Sequence, residues 1–424
     1  LRILHTSDWH FGKTLEGRER LAEQKAFVDE LCIICDREQV DLIVLAGDVF
    51  QHANPSAAAE ELFYDALSRL ACNGTRGLLL IAGNHDNPER LCAPSPLADR
   101  LGISLLGHPK HIMMPDLLAS PERVSRVAAG ASWVEIKVPR CDHHAVIAAL
   151  PYPSEGRLKE LLASSTEEGA IQKGYNERLQ QIFAELAGHF RDDTVNLVVS
   201  HLYVCGGAVS DSENAIQMGG AYAVQPGVFP PSAQYVALGH LHRPQNIRGA
   251  TMPIRYSGSP LAYSFSEAGQ AKSVTLVDLL PGQPAVVTEI PLMSGKPLTK
   301  WVIRGGLEEL KVHTESGKDA NAWIDLEICL ERPLTLDEIG QIKNLHPGFV
   351  NIRVTINQSE EDRLAKEALK NLSLEQRFIR FYQQQTGGGA PEPALVQLFL
   401  ELAQEGLEQE VADEADQADH RRAE

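Results

Sequence analysis

Short apolar runs alternate with longer amphipathic stretches through the first two-thirds of the chain. Ile3–Thr6, Asp41–Ala46, Gly77–Ala82, Ala145–Leu150, Val195–Ser200 and Tyr235–Leu238 are nearly continuous in Val, Ile, Leu and Ala. Runs this short, closed by Gly or polar residues, predict buried strands. Ala22–Arg37, Ser56–Leu70 and Leu158–Phe190 carry apolar residues at helical spacing, the last with breaks expected near Gly169 and Gly174. Strand alternating with helix predicts an α/β layered core with helices outside a sheet. Ser273–Asp278 and a strand reaching Ile290, joined through the turn Pro281-Gly282-Gln283-Pro284, extend that pattern.

From Leu298 the pattern restarts. Lys300–Arg304, Trp323–Leu330 and Val350–Ile356 predict strands, and Leu307–Thr314 and Leu336–Asn344 predict helices between them. This βαβαβ unit carries no cluster of chemical groups and is expected to be a small accessory domain. Residues from Glu360 onward are helical and polar. Ser373 with Gln376 forms a capping box that opens a helix with Leu374, Phe378 and Phe381 on one face. After the linker Gly387-Gly388-Gly389, with Pro391 and Pro393, a second stripe follows: Leu395, Leu398, Phe399 and Leu402. Two such helices on a flexible spacer are expected to dock in a partner's groove; the other reading is packing back onto this chain.

Length and charge narrow the class. At 424 residues the chain suits two or three domains, and 43% hydrophobic content is enough to fill their cores. No apolar run approaches the roughly 20 residues of a membrane-spanning helix. Leu1–Thr6 reads as a first strand and not a leader, so a soluble cytoplasmic, nucleoid-associated protein is expected. The seven cysteines are scattered, and Cys32-Ile-Ile-Cys35 falls inside a helical pattern, where two helix cysteines are the simpler reading than a redox or zinc pair. The net charge of −18 opposes a generally basic nucleic-acid surface. Nine acidic residues against Arg421 and Arg422 place part of that charge in the tail Glu401–Glu424, but the body is still acidic. Any binding of phosphate therefore calls for metal ions or a basic partner.

The chemistry lies just beyond the predicted strands. Asp8-Trp9-His10, Gly47-Asp48, Gly83-Asn84-His85-Asp86, Ser200-His201 and Gly239-His240-Leu241-His242 each follow one. Ligand sites in layered α/β folds sit at such carboxyl ends. Any one cluster alone is commonly structural; all five in this order point to two adjacent divalent cations. Two ions about 3.5–4 Å apart acidify a bridging water and clamp a phosphate. A pair that close needs a bridging anion, for which Asp48 is the candidate. Mixed carboxylate, imidazole and amide ligands favour manganese, iron or zinc over magnesium. His85 is expected to face substrate, with Asp86 able to hydrogen-bond an imidazole and set its orientation.

These motifs (DxH, GD, GNHD, H and GHxH) resemble the calcineurin-like metallophosphoesterases. Within that superfamily "RILHTSDWHFGK", "GDVF", "LIAGNHD", "YVALGHLHRPQ" and "IRYSGSPLAYSFSE" are similar to the bacterial SbcD nuclease-subunit family, as is "LSLEQRF". The resemblance implies a layered β-sheet core with flanking helices, a small α+β capping domain and C-terminal helices. It implies that Asp8, His10, Asp48 and His242 hold one metal, and Asp48, Asn84, His201 and His240 the other, with His85 on the phosphate. It further implies manganese, a homodimer, and assembly with the SMC-like ATPase SbcC as a heterotetramer of two copies of each. The activity implied is double-strand 3′–5′ exonuclease and single-strand or hairpin endonuclease action in DNA repair, recombination and replication.

Two positions depart from the pattern. Gln51 stands where some relatives carry histidine, and His52, one residue on, reads as a loop residue. Ser200 precedes His201 where many members have Gly, and is small enough for the same turn. No GxxxxGK[ST] phosphate loop occurs, since Ser294-Gly295-Lys296 lacks the upstream Gly and precedes Pro297. ATP dependence would therefore belong to the partner.

The expected domains are 1–280 for the nuclease, 281–357 for a DNA-facing cap, and 358–424 for the docking helices and acidic tail. Ala22–Arg37 and Ser56–Leu70, through Leu62, Phe63, Leu67 and Leu70, are candidates for the dimer contact, with ordinary core packing the alternative. The rival functions are a small-molecule or phosphoprotein phosphoesterase and a non-catalytic scaffold. The scaffold should have lost metal ligands, and none of the seven is missing.

Overall fold

The protein is described by a computed structural model, which covers residues 1–116, 120–160, 168–213, 222–330, 332–356, 373–385 and 391–399. Strands β1 (Arg2–Thr6), β2 (Leu42–Ala46) and β3 (Gly77–Ile81) lie where the apolar runs predict them. So do β7 (Ala145–Leu150), β8 (Val195–His201) and β9 (Tyr235–Gly239). Between them the chain adds β4 (Ile103–Leu106), β5 (Ser125–Gly130) and β6 (Trp133–Lys137), which the apolar pattern did not single out. β10 (Gln245–Ile247), β11 (Ile254–Tyr256), β12 (Ser273–Asp278) and β13 (Val286–Pro291) follow.

These strands form two sheets, where the sequence pattern predicted one. The first has the order β13-β12-β1-β2-β3-β4 and the second β10-β11-β9-β8-β7-β6-β5. Within the first, β1 through β4 are parallel and β12 is antiparallel to β1; within the second, β7, β8 and β9 are parallel. Alternate residues explain the stacking. Ile3, Val44, Leu79 and Ile81 pack with Ile147, Leu197 and Val199 between the sheets. Leu4, Ile43, Leu45, Leu78 and Leu80 turn the other way, onto helices α1 (Leu21–Arg37) and α2 (Ala57–Leu70). On the far face of the second sheet, Ala148, Val198 and Val236 meet Leu179 and Phe183 of helix Glu168–Ala187. Both faces of each central strand are buried, hence the unbroken apolar runs. Each buried Val or Leu contributes about 1.5–3 kcal/mol.

Several expectations are settled here. Ser56 caps α2 by accepting the Ala59 N–H. Cys32 and Cys35 both lie on α1, and burial pushes the Cys35 thiol up to about 12, so it is held protonated. Leu62, Phe63, Leu67 and Leu70 are all buried in the core beneath α2, which leaves them no surface to offer a second copy. The core-packing alternative is the one realised for these four. The long helix expected over Leu158–Phe190 appears as Glu155–Leu158 and Glu168–Ala187; Gly169 and Gly174 sit inside the second piece without ending it.

The accessory unit follows its pattern closely. β14 (Leu298–Ile303), helix Gly306–Glu315, β15 (Trp323–Leu330), helix Leu336–Leu345 and β16 (Phe349–Ile356) build a three-stranded sheet, β14-β15-β16. β13 pairs along β12, so the first sheet runs past residue 280 to Pro291. Leu298 and Trp323 share an apolar cluster with Leu15 and Phe265, and Leu1–Ile328 with Thr335–Arg353 forms one compact unit.

The other unit comprises Cys329–Leu334 and Val354–Glu424. Ser373 and Gln376 make the expected capping box at the start of helix Leu374–Gln385. Phe378 of this helix stacks on Phe399 of helix 393–399, with ring centroids 4.1 Å apart. The two stripes thus partly satisfy each other. The Gly387–Gly389 linker, Leu402 and the acidic tail lie outside the described residues. No helix among the described residues is long and apolar enough to cross a membrane.

Candidate metal centre

All five polar clusters come together where the parallel strands of both sheets end. Asp8 and His10 follow β1, Asp48 follows β2, Asn84 and His85 follow β3, His201 closes β8, and His240 and His242 follow β9. The backbone there is unusual. Asp8, His10, Asp48 and His240 all have positive φ, at 54°, 46°, 52° and 109°. Non-glycine residues in this region are strained, and such strain gathers at functional sites. The Asp8 N–H to Gly47 carbonyl bond (3.0 Å) and the His10 N–H to Asp48 carbonyl bond (3.0 Å) lock the two turns together. Glycine is required at two of the crossings. A Cβ on Gly83 would collide with the Asp48 carboxylate and amide, and one on Gly239 with the Ala46 carbonyl.

The side chains form overlapping groups of metal-binding size. Asp8, His10 and His242 offer ligand atoms all within 4.8 Å of one another, as do Asp8, Asp48 and His201, and also His10, Asp48 and His85. Asn84 joins through its Oδ1, which lies 2.8 Å from His201 Nε2 and 3.1 Å from His240 Nδ1. All seven expected ligands therefore converge. Asp48 reaches both sides, with Oδ2 at 3.4 Å from His201 Nε2 and 3.7 Å from His10 Nε2.

Electrostatics set the protonation of the cluster. Burial holds His10 and His242 well below the ordinary imidazole range and His240 at about 3, so all three present lone pairs. Burial works against charge on His201 as well, yet Asp48 and Asp8 beside it raise its imidazole to about 9. Burial likewise opposes charge on Asp48, but His201, His10 and His85 hold it low. Burial, with Asp48 nearby, pushes the Asp8 carboxyl up to about 7 against the pull of His201.

A divalent pair fits these groups. His10 Nε2 and His242 Nε2 face each other at 3.0 Å, and the buried His10 Nδ1 and His240 Nε2 have no hydrogen-bond partner. A buried polar atom without a partner costs about 1–3 kcal/mol. His201 donates Nδ1–H to the Ala46 carbonyl at 2.8 Å, so Nε2 is the atom that would give up its proton to an ion.

Around the centre, one assignment changes. The Asp86 carboxylate does not orient His85. It accepts the backbone N–H groups of Gly83 (2.9 Å), Phe50 (3.0 Å) and Val49 (3.2 Å), clamping the GNHD turn onto the GDVF turn. Three converging amides outcompete one imidazole for a buried carboxylate. His85 is instead oriented by the Gln51 carbonyl, 2.8 Å from its Nδ1, and its own N–H donates to Asp48 Oδ1 at 2.9 Å. His52 is an exposed loop residue, as expected.

The sequence pattern also gave no hint of Arg157. Its guanidinium donates to the Gly83 carbonyl (2.6 Å) and the Asp86 carbonyl (2.7 Å), bracing the GNHD turn from the far side. An isolated arginine between two patterned segments carries no local signal of this role.

Residues 1–244 match the calcineurin-like phosphoesterase family, and residues 296–386 match the type 5 capsule protein repressor C-terminal domain family. The SbcD chain of the nuclease SbcCD from Bacillus subtilis (strain 168) is 48% identical over 412 residues, covering 97% of this chain and 100% of that protein. The chain belongs to the SbcD family of calcineurin-like phosphoesterases. The SbcD chain of the nuclease SbcCD from Rhodobacter capsulatus is 37% identical over 313 residues, 72% of each chain. A solved dimetal phosphatase from Danio rerio is 12% identical with a TM-score of 0.37, covering 69% of this chain and 96% of that one. The phosphoesterase domain is that of a metal-dependent hydrolase, and the convergent clusters include groups that could hold divalent ions.

Proposed function

We propose that this chain is a manganese-dependent DNA nuclease, the catalytic subunit of a complex with an SbcC-type ATPase that processes DNA ends and hairpins. The observation carrying this reading is the convergence of seven ligand-type side chains from five strand ends on carboxylates shared between neighbouring groups. Full-length similarity to a nuclease subunit, across the accessory region as well as the phosphoesterase domain, supports DNA over a small phosphoester.

Asp8, His10, Asp48 and His242 would hold one ion, and Asp48, Asn84, His201 and His240 the other. Bound there, such ions supply an acidified water and neutralise charge on the phosphate. The chain's own residues do the rest. Asp48 ties the two half-sites together, and Asn84 completes one of them without adding negative charge beside an incoming phosphate. His85, set by Gln51 next to His10 with ring centroids 5.0 Å apart, is placed to meet the phosphate or the leaving oxygen. The Asp86 clamp and the Arg157 brace keep that imidazole in position. A 3′–5′ exonuclease polarity and hairpin opening complete the proposal, together with a homodimer and ATPase docking by the helices after Ser373.

The deciding assay compares hairpin and blunt duplex DNA with bis(p-nitrophenyl) phosphate, using the full chain in Mn²⁺, with and without its ATPase partner. Cleavage of DNA, stimulated by the partner, is expected. Turnover of the small ester with none of DNA under either condition would reject the nuclease reading.

A further inference from the structure

Behind His242 lies a buried polar chain that the metal-centre assignments leave unused. Ser212 Oγ is 2.5 Å from His242 Nδ1 and 2.6 Å from Glu267 Oε1. Glu267 is fully buried and ion-paired with Lys272, whose ammonium also donates to the His242 carbonyl (2.8 Å) and to Ser259 Oγ (3.0 Å). Glu213 accepts the His242 N–H at 2.8 Å and the Ser210 N–H at 2.5 Å. Lys13 donates to the Ser212 carbonyl at 3.1 Å, and the Asp211 N–H donates to Ser266 Oγ at 3.1 Å. Ser212 and Glu213 thereby hold His242, while Lys13, Ser266 and the Ser210–Glu213 bond seat the rest of the stretch.

Proton accounting gives this chain a direction. Oxygen atoms 2.6 Å apart repel unless a proton lies between them, and a carboxylate salt-bridged to lysine only accepts. The Ser212 hydroxyl proton is therefore committed to Glu267. Ser212 Oγ then meets His242 Nδ1 as an acceptor, so the ring proton sits on Nδ1 and the lone pair on Nε2. That Nε2 is the atom facing His10 across 3.0 Å. Reversing the Ser212 hydroxyl would put the His242 proton on Nε2, where it would block coordination.

The geometry assigns Ser212, Glu267 and Lys272 as a positioning relay that fixes His242 in the tautomer able to bind metal through Nε2. Metal affinity at the Asp8–His10–His242 side is thereby coupled to the seating of the Ser210–Glu213 loop. The inference rests on the reading of His242 as a metal ligand. It concerns residues that touch neither substrate nor ion, and acts only through the imidazole.

Two measurements on the full chain test it. The first is metal-free: ¹⁵N-histidine NMR, with the His242 signal assigned by its absence in His242→Ala, reports which ring nitrogen is protonated. Wild type should show Nδ1–H, whereas Ser212→Ala and the paired Glu267→Gln/Lys272→Met, which avoids stranding the lysine, should show mixed tautomers. The second is Mn²⁺ titration followed by EPR of the free ion. Ser212→Ala should weaken one of two sites by ~10–100-fold, the usual cost of losing such a support. Ser212→Thr, which keeps the hydroxyl, should restore it, and His242→Ala should lose that ion. If His242→Ala loses an ion while Ser212→Ala and the paired variant bind both with wild-type affinity, the relay is wrong and the metal centre stands. If His242→Ala still binds both ions, the metal assignment of His242 is wrong and the relay falls with it.

Discussion

His10 and His242, far apart in the chain, point their Nε2 atoms at each other across 3.0 Å inside the protein. Burial keeps both imidazoles neutral, so at most one proton lies between two nitrogens that would otherwise repel. In the proposed centre these two imidazoles would hold one cation.

The first prediction concerns that cation. Mn²⁺ at a hundredfold excess over Kd should stabilise the fold by about 2.7 kcal/mol per site. Asp48→Ala, which removes the carboxylate common to both half-sites, should bind neither ion, as read by elemental analysis after gel filtration. Retention of a full-affinity ion by Asp48→Ala would show that Asp48 does not bridge.

His85 stands apart from the ligands in the proposal. His85→Gln should bind both ions normally and lose at least ~10²-fold in DNA cleavage, the lower end for removing a positioned proton donor. Loss of metal in parallel with activity would make His85 a ligand.

Asp86 should behave as a structural clamp. Asp86→Ala strands three backbone N–H groups in a site only 2% exposed. The expected cost is about 3 kcal/mol or more in urea denaturation. A variant as stable as wild type but inactive would return Asp86 to the chemistry.

Acid stability has a source away from the centre. Bidentate bonds from Arg191, helped by His144 and opposed by burial, hold the Glu135 carboxyl at about 2, below its usual 4.5. A depressed folded-state pKa contributes stability that is complete above the unfolded value and is lost as pH falls toward the folded one. Glu135→Gln should therefore melt lower than wild type at pH 7, and the gap should narrow from about pH 4.5 toward pH 2. A gap constant across that window would mean the pair is not what stabilises this corner.

Partner docking is best probed at Phe381. Phe378 is engaged with Phe399, whereas Phe381 is 58% exposed on the same helix. Phe381→Glu should abolish co-purification with the ATPase and leave unassisted nuclease activity intact. Undiminished co-purification would take this face out of the interface.

Much of this protein is legible from sequence because the constraints are local. A strand buried on both faces must be apolar throughout, so Leu42–Ala46 and Leu78–Ile81 declare themselves. Metal ligation admits few residue types, so Asp48, His201 and His240 stand out wherever an apolar run stops. A capping box is a four-residue device, and Ser373 with Gln376 is readable for that reason.

What the sequence left open depends on contacts between distant segments. Whether Phe63 and Leu67 face a core or a second copy depends on a sheet lying beneath α2, which no periodicity within the helix reveals. Two stacked sheets instead of one follow from where β5 through β13 return in space. Asp86 beside His85 suggests a pair, yet three amides from two separate turns claim the carboxylate first. Ser212 and Glu267 give no sign of their role until folding brings both behind His242. Residue chemistry and local periodicity determined the elements and the ligand types. Tertiary structure decided which groups meet and which proton each one carries, because hydrogen-bond and Coulomb energies depend on distances that only the folded chain defines.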